Sequence, residues 1–169
     1  MPPNRQTIPR EQRVAEILDA ALGEFLDVGF DTATMASIAR RAGMTAPNVH
    51  YYFPTKEALF AGVTSRAYDR LFAALDDLDD PVERLRSYVT FHIEHHPMRA
   101  VVQAVAARSP EVASVLERRE AWVEATVEQV TRRELDRAVL VATVTGLIEA
   151  VVPHPKPDAV LDRAVRLVR

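Results

Sequence analysis

Cysteine is absent from the 169 residues, which excludes a disulfide framework, a thiol nucleophile and any zinc site that needs sulfur. Only five glycines occur, too few for a Gly-rich phosphate cradle, and neither G-x-G-x-x-G nor G-x-x-x-x-G-K is found. No convincing strand-like alternation appears. Neither sign of charge dominates: 21 basic against 24 acidic residues leave a formal net charge of −3, so global charge does not announce a nucleic-acid partner. Lysine is nearly missing, two against 19 arginines, a mark of genome composition. The longest nearly apolar stretch, Ala138 to Val152, is interrupted by Thr143, Thr145, Gly146 and Glu149 and is too short and polar to span a bilayer. Met1 to Gln6 is polar and has no apolar core of a secretory signal. The expectation is a cytoplasmic protein without a membrane partner.

What is present is helical periodicity over a chain that is 48% apolar, enough to build an interior. Val14, Ile17, Leu18, Ala21, Leu22, Phe25 and Leu26 form a stripe on a first helix from about Arg10 to Val28, stopped by Gly29 at the C′ position. Thr34 is set to cap a short second helix, Met35 to Ala42, which ends at Gly43. Thr45 is set to cap a third, about Ala46 to Tyr52, with Pro47 in its first turn. Pro54 breaks that helix, and Thr55 opens a fourth that reaches about Leu75. Asp80-Pro81 starts a fifth helix to about His95, and a sixth covers roughly Met98 to Ala107. Ser109-Pro110 starts a seventh reaching about Arg132; an eighth spans about Glu134 to Val152, and a last one runs from Asp158 to the end. The fold class is all-α.

Thr34 to Leu59 carries the functional information. Two short helices joined by a tight turn at Gly43 form a helix-turn-helix arrangement. The third helix turns Val49 inward and presents Asn48, His50, Tyr51 and Tyr52 outward. That polar and aromatic row suits a helix lying in a major groove, where donors and acceptors meet base edges and phosphates.

The runs I-A-R-R-A-G-M-T and N-V-H-Y-Y-F-P-T-K-E-A-L-F closely resemble the DNA-binding signature of the TetR/AcrR family of transcriptional repressors. The similarity covers about residues 10 to 62. It implies a helix-turn-helix DNA-binding domain over 1–54, ordered from about 10, and a helical ligand-binding and dimerisation domain over 55–169. It further implies that Thr34, Thr45 and Ala46 meet the DNA backbone and that Asn48 and His50 approach base edges. Tyr51 and Tyr52 reach phosphates or a thymine methyl, and Lys56 grips the backbone as a point charge. Two positions depart from the family pattern. Ala46-Pro47 stands where a basic residue and glycine are common, and His50 replaces a frequent tyrosine. Each assignment has a plainer counterpart: the threonines as helix caps, Tyr52 as partly core, Lys56 as a solvated charge. Phe53 is assigned to the core.

Residues 1–60 hold six basic and seven acidic side chains. Affinity scales with phosphates neutralised rather than net charge, and Arg5, Arg10, Arg13, Arg40, Arg41 and Lys56 are candidates for one face. The implied partner is a palindromic double-stranded operator. A homodimer would present two recognition helices about 34–36 Å apart, or somewhat more. The eighth helix is apolar nearly all round its centre, so residues 134–152, with 158–169, are the expected dimer seam, the plainer alternative being that both complete the monomer core.

In the sensing half, His92 and His96 stand i, i+4 on the apolar stripe of the fifth helix. That spacing admits a metal, but no third ligand accompanies it, so pocket lining or plain packing is the expected role and no metal or cofactor is assigned. Tyr88, Phe91, His92, His96, Met98, Gln103 and Trp122 are the candidates around a mostly apolar cavity for a small, apolar effector. As the resemblance implies, the effector shifts the dimer toward a state with the wrong DNA spacing, the fourth helix acting as lever. The acidic cluster Asp76, Asp77, Asp79 and Asp80 reads as caps and solvated linker, not paired catalytic carboxylates, and no catalytic residue is assigned. The alternative is a helical small-molecule binder or enzyme without a DNA role, for which no nucleophile–base pair or paired carboxylates stand out, or an interaction module using the eighth helix, which leaves Asn48, His50 and Tyr51 unexplained.

Overall fold

The computed structural model describes residues 8–131, 133–149 and 166. Among them lie eight helices and no strand: α1 (Arg10–Val28), α2 (Met35–Arg41), α3 (Ala46–Tyr52), α4 (Lys56–Asp76), α5 (Pro81–Glu94), α6 (His96–Ala106), α7 (Pro110–Val130) and α8 (Glu134–Glu149). The all-α expectation holds. The helix expected over 158–169 and the loop before it lie outside the described residues, apart from residue 166. No described helix is long and apolar enough to cross a membrane.

Helix ends follow local chemistry. Asp80 caps α5 by accepting from the Val82 N–H at 2.9 Å, with Pro81 in the first turn. Ser109 caps α7 at Val112, and Thr55 accepts from Ala58 at the start of α4. Helix α7 stops at Val130, short of the expected Arg132, because Thr131 is extended (φ −140°, ψ 144°). Gly29 ends α1 at φ 82°, ψ 160°. This is not the left-handed C′ geometry expected but a region open to essentially no other residue.

The chain divides into two compact units between Arg66 and Ala67, and α4 runs through the division. In the first unit α1 packs on α2 and α2 on α3, and Ile17, Leu18, Ala21 and Phe25 of α1, Ile38 and Ala39 of α2, Val49 of α3 and Leu59 and Phe60 of α4 are buried. Phe25, Phe30 and Phe60 form an aromatic triad with centroids 4.8–5.6 Å apart, so Phe30 packs back as its position after Gly29 suggests. The second unit is centred on Leu75, Val82, Leu85, Tyr88, Val89, Val123, Val127, Leu140 and Val144. These come from α4, α5, α7 and α8.

Both turn glycines are at positive φ with open space where a Cβ would stand, so alanine there is opposed by backbone strain rather than by a clash. Gly43→Ala should cost about 1 kcal/mol and Gly29→Ala up to about 3 kcal/mol in urea unfolding. Equal midpoints for both variants and the parent would contradict this.

Candidate nucleic-acid interface

Helix α2 opens with a reciprocal capping box. The Ser37 N–H donates to Thr34 Oγ1 at 3.0 Å, and the Thr34 N–H donates to Ser37 Oγ at 3.1 Å. The helix closes in a Schellman turn: Met44 N–H bonds to Ala39 O at 2.8 Å and Gly43 N–H to Arg40 O at 3.1 Å, with Gly43 at φ 67°. Three residues later α3 begins.

Thr45 occupies the N-cap of α3, but its hydroxyl makes no cap hydrogen bond, which corrects the expectation. The reason is local. Pro47 removes one first-turn N–H, and the Asn48 N–H is taken by the backbone carbonyl of Thr45 at 3.0 Å. The Thr45 side chain is exposed, so its hydroxyl is available to an outside acceptor.

Of α3, only Val49 is buried. Asn48, His50 and Tyr51 are exposed, Tyr51 to 74%, and Ala46 and Tyr52 are half-buried. Tyr51 and Tyr52 meet edge to face at 5.1 Å, and the Arg10 guanidinium lies 5.6 Å from the Tyr52 ring centre. Asn48, Tyr51, Tyr52 and Thr45 line an open groove of about 570 Å³ together with Arg13, Gly43 and Met44. Sequence reasoning named Arg13 only as a basic residue; its place at the groove comes from the packing of α1. His50 Nδ1 is 3.0 Å from the Pro54 carbonyl. A carbonyl only accepts, so Nδ1 carries hydrogen and Nε2 of the neutral ring is left as an acceptor. Phe53, assigned to the core, is half-buried at the C-cap.

Lys56 has a role that the sequence did not disclose. Its ammonium donates to the carbonyls of Phe30 (2.7 Å), Ala33 (2.9 Å) and Asp31 (3.3 Å) and sits 4.5 Å from the Phe30 ring centre. It staples the α1–α2 loop to the start of α4. Other candidate cations are also engaged: Arg41 with Asp27 and Glu24, Arg13 with Glu16 at 2.6 Å. Arg40 is exposed.

The sequence profile described as "Bacterial regulatory proteins, tetR family" matches residues 17–63, which hold this motif. Over 154 residues the chain is 31% identical to the HTH-type transcriptional activator FasR of Mycolicibacterium smegmatis, covering 83% of this chain and 69% of FasR. The chain belongs to the tetR family. As a tetR-family protein it is a sequence-specific DNA-binding transcriptional regulator, and the α2–turn–α3 unit is its helix-turn-helix. The fold extends beyond the motif. SCO7518 of Streptomyces coelicolor A3(2) superposes with a TM-score of 0.71 over 93% of this chain and 98% of that one, at 23% identity. FadR of Bacillus subtilis, solved in complex with stearoyl-CoA, gives 0.65 over 91% and 96%, at 16% identity.

The candidates in the second unit separate. Tyr88, His92 and Trp122 come together: Tyr88 is 4.2 Å from His92 and 5.3 Å from Trp122, centre to centre. Trp122 is half-buried, and its indole donates to Asp76 at 3.1 Å. Phe91 meets His92 edge to face at 5.4 Å and stacks on His95 at 4.3 Å, and Gln103 is half-buried on α6. His96 is not on α5. The chain breaks at His95 (φ −105°, ψ 24°) and His96 opens α6 ahead of Pro97, so the single-helix i, i+4 pair with His92 is not realised. Pro97 has no N–H to give to the Ile93 carbonyl, so α5 cannot run on through it, and the chain turns at His95 and restarts as α6. The side chain of His96 lies outside the described residues.

His92 is buried, its Nδ1 2.9 Å from the Tyr88 carbonyl and its Nε2 3.3 Å from the Tyr68 hydroxyl. Burial pulls its pKa down to about 4, against the raising effect of the Tyr88 carbonyl and with further lowering from Arg119, Arg99 and His95. Burial raises the phenols of Tyr68 and Tyr88. Arg119 lies in L-E-R-R-E, a run with the composition of a solvated surface. Yet it shares the stripe Val112, Val115, Leu116, Val123 and Val127 and is 3% exposed, a signal that helical spacing does contain.

Two outcomes follow. Lys56→Met should lower stability by about 1–3 kcal/mol in urea titration; unchanged stability would mean the staple carries no load. The pKa of His92 is depressed on folding, so its contribution is complete above about pH 6.5 and is lost as pH falls toward 4. Stability should therefore drop by about 1.4 kcal/mol per pH unit across that window, and His92→Gln should flatten the profile; an identical slope in the variant would refute the assignment.

Proposed function

We propose that the chain acts as a homodimer on a palindromic double-stranded operator, in the manner of a repressor released by a small-molecule effector. The observation that carries this reading is the outer face of α3: Val49 alone anchors the helix, leaving Thr45, Asn48, His50 and Tyr51 exposed beside an open groove. In this reading Asn48 and the Nε2 acceptor of His50 meet base edges. The hydroxyls of Thr45, Tyr51 and Tyr52 and the first turns of α2 and α3, at Thr34 and Ala46, meet phosphates. Lys56 supports the motif from behind and supplies field rather than a direct grip. The activity is binding, with no catalytic step.

The dimer seam we assign to α8. Leu135 and Val139 are 70% and 46% exposed, and with Ala138, Ala142 and Gly146, also exposed, they form one apolar face of small and branched residues at helical spacing. Such a face is covered most economically by its two-fold copy. Helix α4, continuous from Lys56 to Asp76, belongs to both units and is the lever through which effector binding alters DNA occupancy. FasR is described as an activator, which favours a second reading in which the bound dimer recruits rather than blocks; deleting the gene and following a reporter on the target promoter separates the two by sign.

The test is fluorescence anisotropy with duplexes from the DNA flanking the gene, across a salt series. Asn48→Ala should cost about 1–3 kcal/mol and relax preference at one base pair per half-site. Thr45→Val should weaken all sequences alike without changing the salt slope. Val139→Asp should give monomers that lose operator binding while keeping the fold. Wild-type affinity and sequence preference in Asn48→Ala and Thr45→Val together would overturn the reading.

A further inference from the structure

The second unit hides an unbalanced charge. Arg119, 97% buried on α7, has no hydrogen-bond partner at Nε or Nη1 among the described residues, and the hydroxyl of fully buried Tyr88 has none either. Buried polar groups are almost always satisfied, and a buried guanidinium without a full set of acceptors is among the costliest exceptions. The nearest carboxylate, Glu120, reaches Arg119 Nη2 only at 3.5 Å and is 59% exposed, so solvent screens the pair. A second guanidinium, Arg99, whose Nε is also unpartnered, acts with Arg119 on Tyr68, Tyr88 and His92. His92, held neutral by burial, adds no acceptor charge.

Of these groups, Arg119, Tyr88 and Glu120 border a cavity. Tyr88, Arg119 and Val123, with Val141 and Thr145 of α8, line a space of about 210 Å³, and Glu120 and Glu124 also line it. The volume is below the roughly 300–1,000 Å³ of sites for drug-sized ligands, so its occupant is small. The unpartnered Nε and Nη1 of Arg119 and the Tyr88 hydroxyl call for an acceptor, and one bearing a single negative charge suits the guanidinium. The two glutamates disfavour a second.

We propose that Arg119 and Tyr88 form the head-group site for a small monocarboxylate effector, whose carboxylate accepts from the guanidinium and the phenol while its apolar body lies against Val123 and Val141. Such an effector keeps the apolar body that the sequence suggested and adds one anionic head group. It rests on the reading of the second unit as a sensor. The phenol of Tyr88, raised by burial, stays protonated and so remains a donor. The charge-assisted bonds of such a head group supply orientation as well as affinity.

The full chain is titrated by calorimetry and by the fluorescence of Trp122, the single tryptophan, which stands beside Tyr88. The probes are acetate, butyrate and benzoate, with benzamide as the neutral isostere of benzoate and phthalate as the dianion. At least one monocarboxylate should bind saturably below roughly 10 mM, and benzamide and phthalate should each bind at least tenfold more weakly than benzoate. Arg119→Met should abolish binding while leaving the thermal midpoint equal or higher, because a misfit buried charge has been removed. Tyr88→Phe, which keeps the ring, should weaken binding about tenfold. The proposal is overturned if no monocarboxylate binds, if benzamide matches benzoate, or if either variant binds as the parent does. It is also overturned if Arg119→Met melts far below the parent, since the guanidinium is then already paired, by its own chain or by a second copy. Binding of carboxylate without binding of DNA would refute the regulator reading and leave this site standing; DNA binding without carboxylate binding would do the reverse.

Discussion

A helix of seven residues has no stability of its own in water, and α3 is such a helix. It exists because Val49 is buried against the first unit's core and because the Schellman turn at Gly43 delivers the chain at the right angle from α2. The proposed contact of α3 with DNA depends on that borrowed order. Since one side chain suffices for anchoring, most of the helix surface remains free for recognition. The aromatic triad of Phe25, Phe30 and Phe60 and the Lys56 staple matter for the same reason: they fix the frame on which α3 is mounted.

The two units use polarity in opposite senses. In the first, the cap of α2 is satisfied internally by Thr34 and Ser37, whereas the equivalent cap of α3 is left open at Thr45. Two helix starts a few residues apart thus differ in what they offer an outside acceptor. In the second, the polar groups face inward: Tyr68, Tyr88, His92 and Arg119 share a buried cluster. A core built only for stability would replace that arginine with a hydrocarbon of similar volume. Its retention in an apolar stripe marks the place where the molecule trades stability for recognition.

The sequence disclosed the helices well, because apolar spacing, Asx and Ser/Thr caps and proline punctuation all act over a few residues. The inner and outer faces of α3 were legible for the same reason. Two kinds of feature were not. Long-range partners escape local pattern: Lys56 meets Phe30 and Ala33 across more than twenty positions, so its staple role shows only in the folded chain. Competition between neighbouring signals was the other. Thr45 has a capping residue's sequence, but Pro47 removes one donor it would cap and its own carbonyl takes another. At His95, likewise, Pro97 divides what reads as one histidine-bearing face between α5 and α6.

The outward side of α3 is the proposed contact with the duplex. Amide chemical shifts of the isotope-labelled chain, followed while a duplex is added at low salt, test it most directly. The largest changes are expected at the amides of residues 34–37 and 45–52, with lesser ones near Arg13 and Arg40. Changes confined to residues 67–149, or none in α3 while the duplex is demonstrably bound, would contradict it.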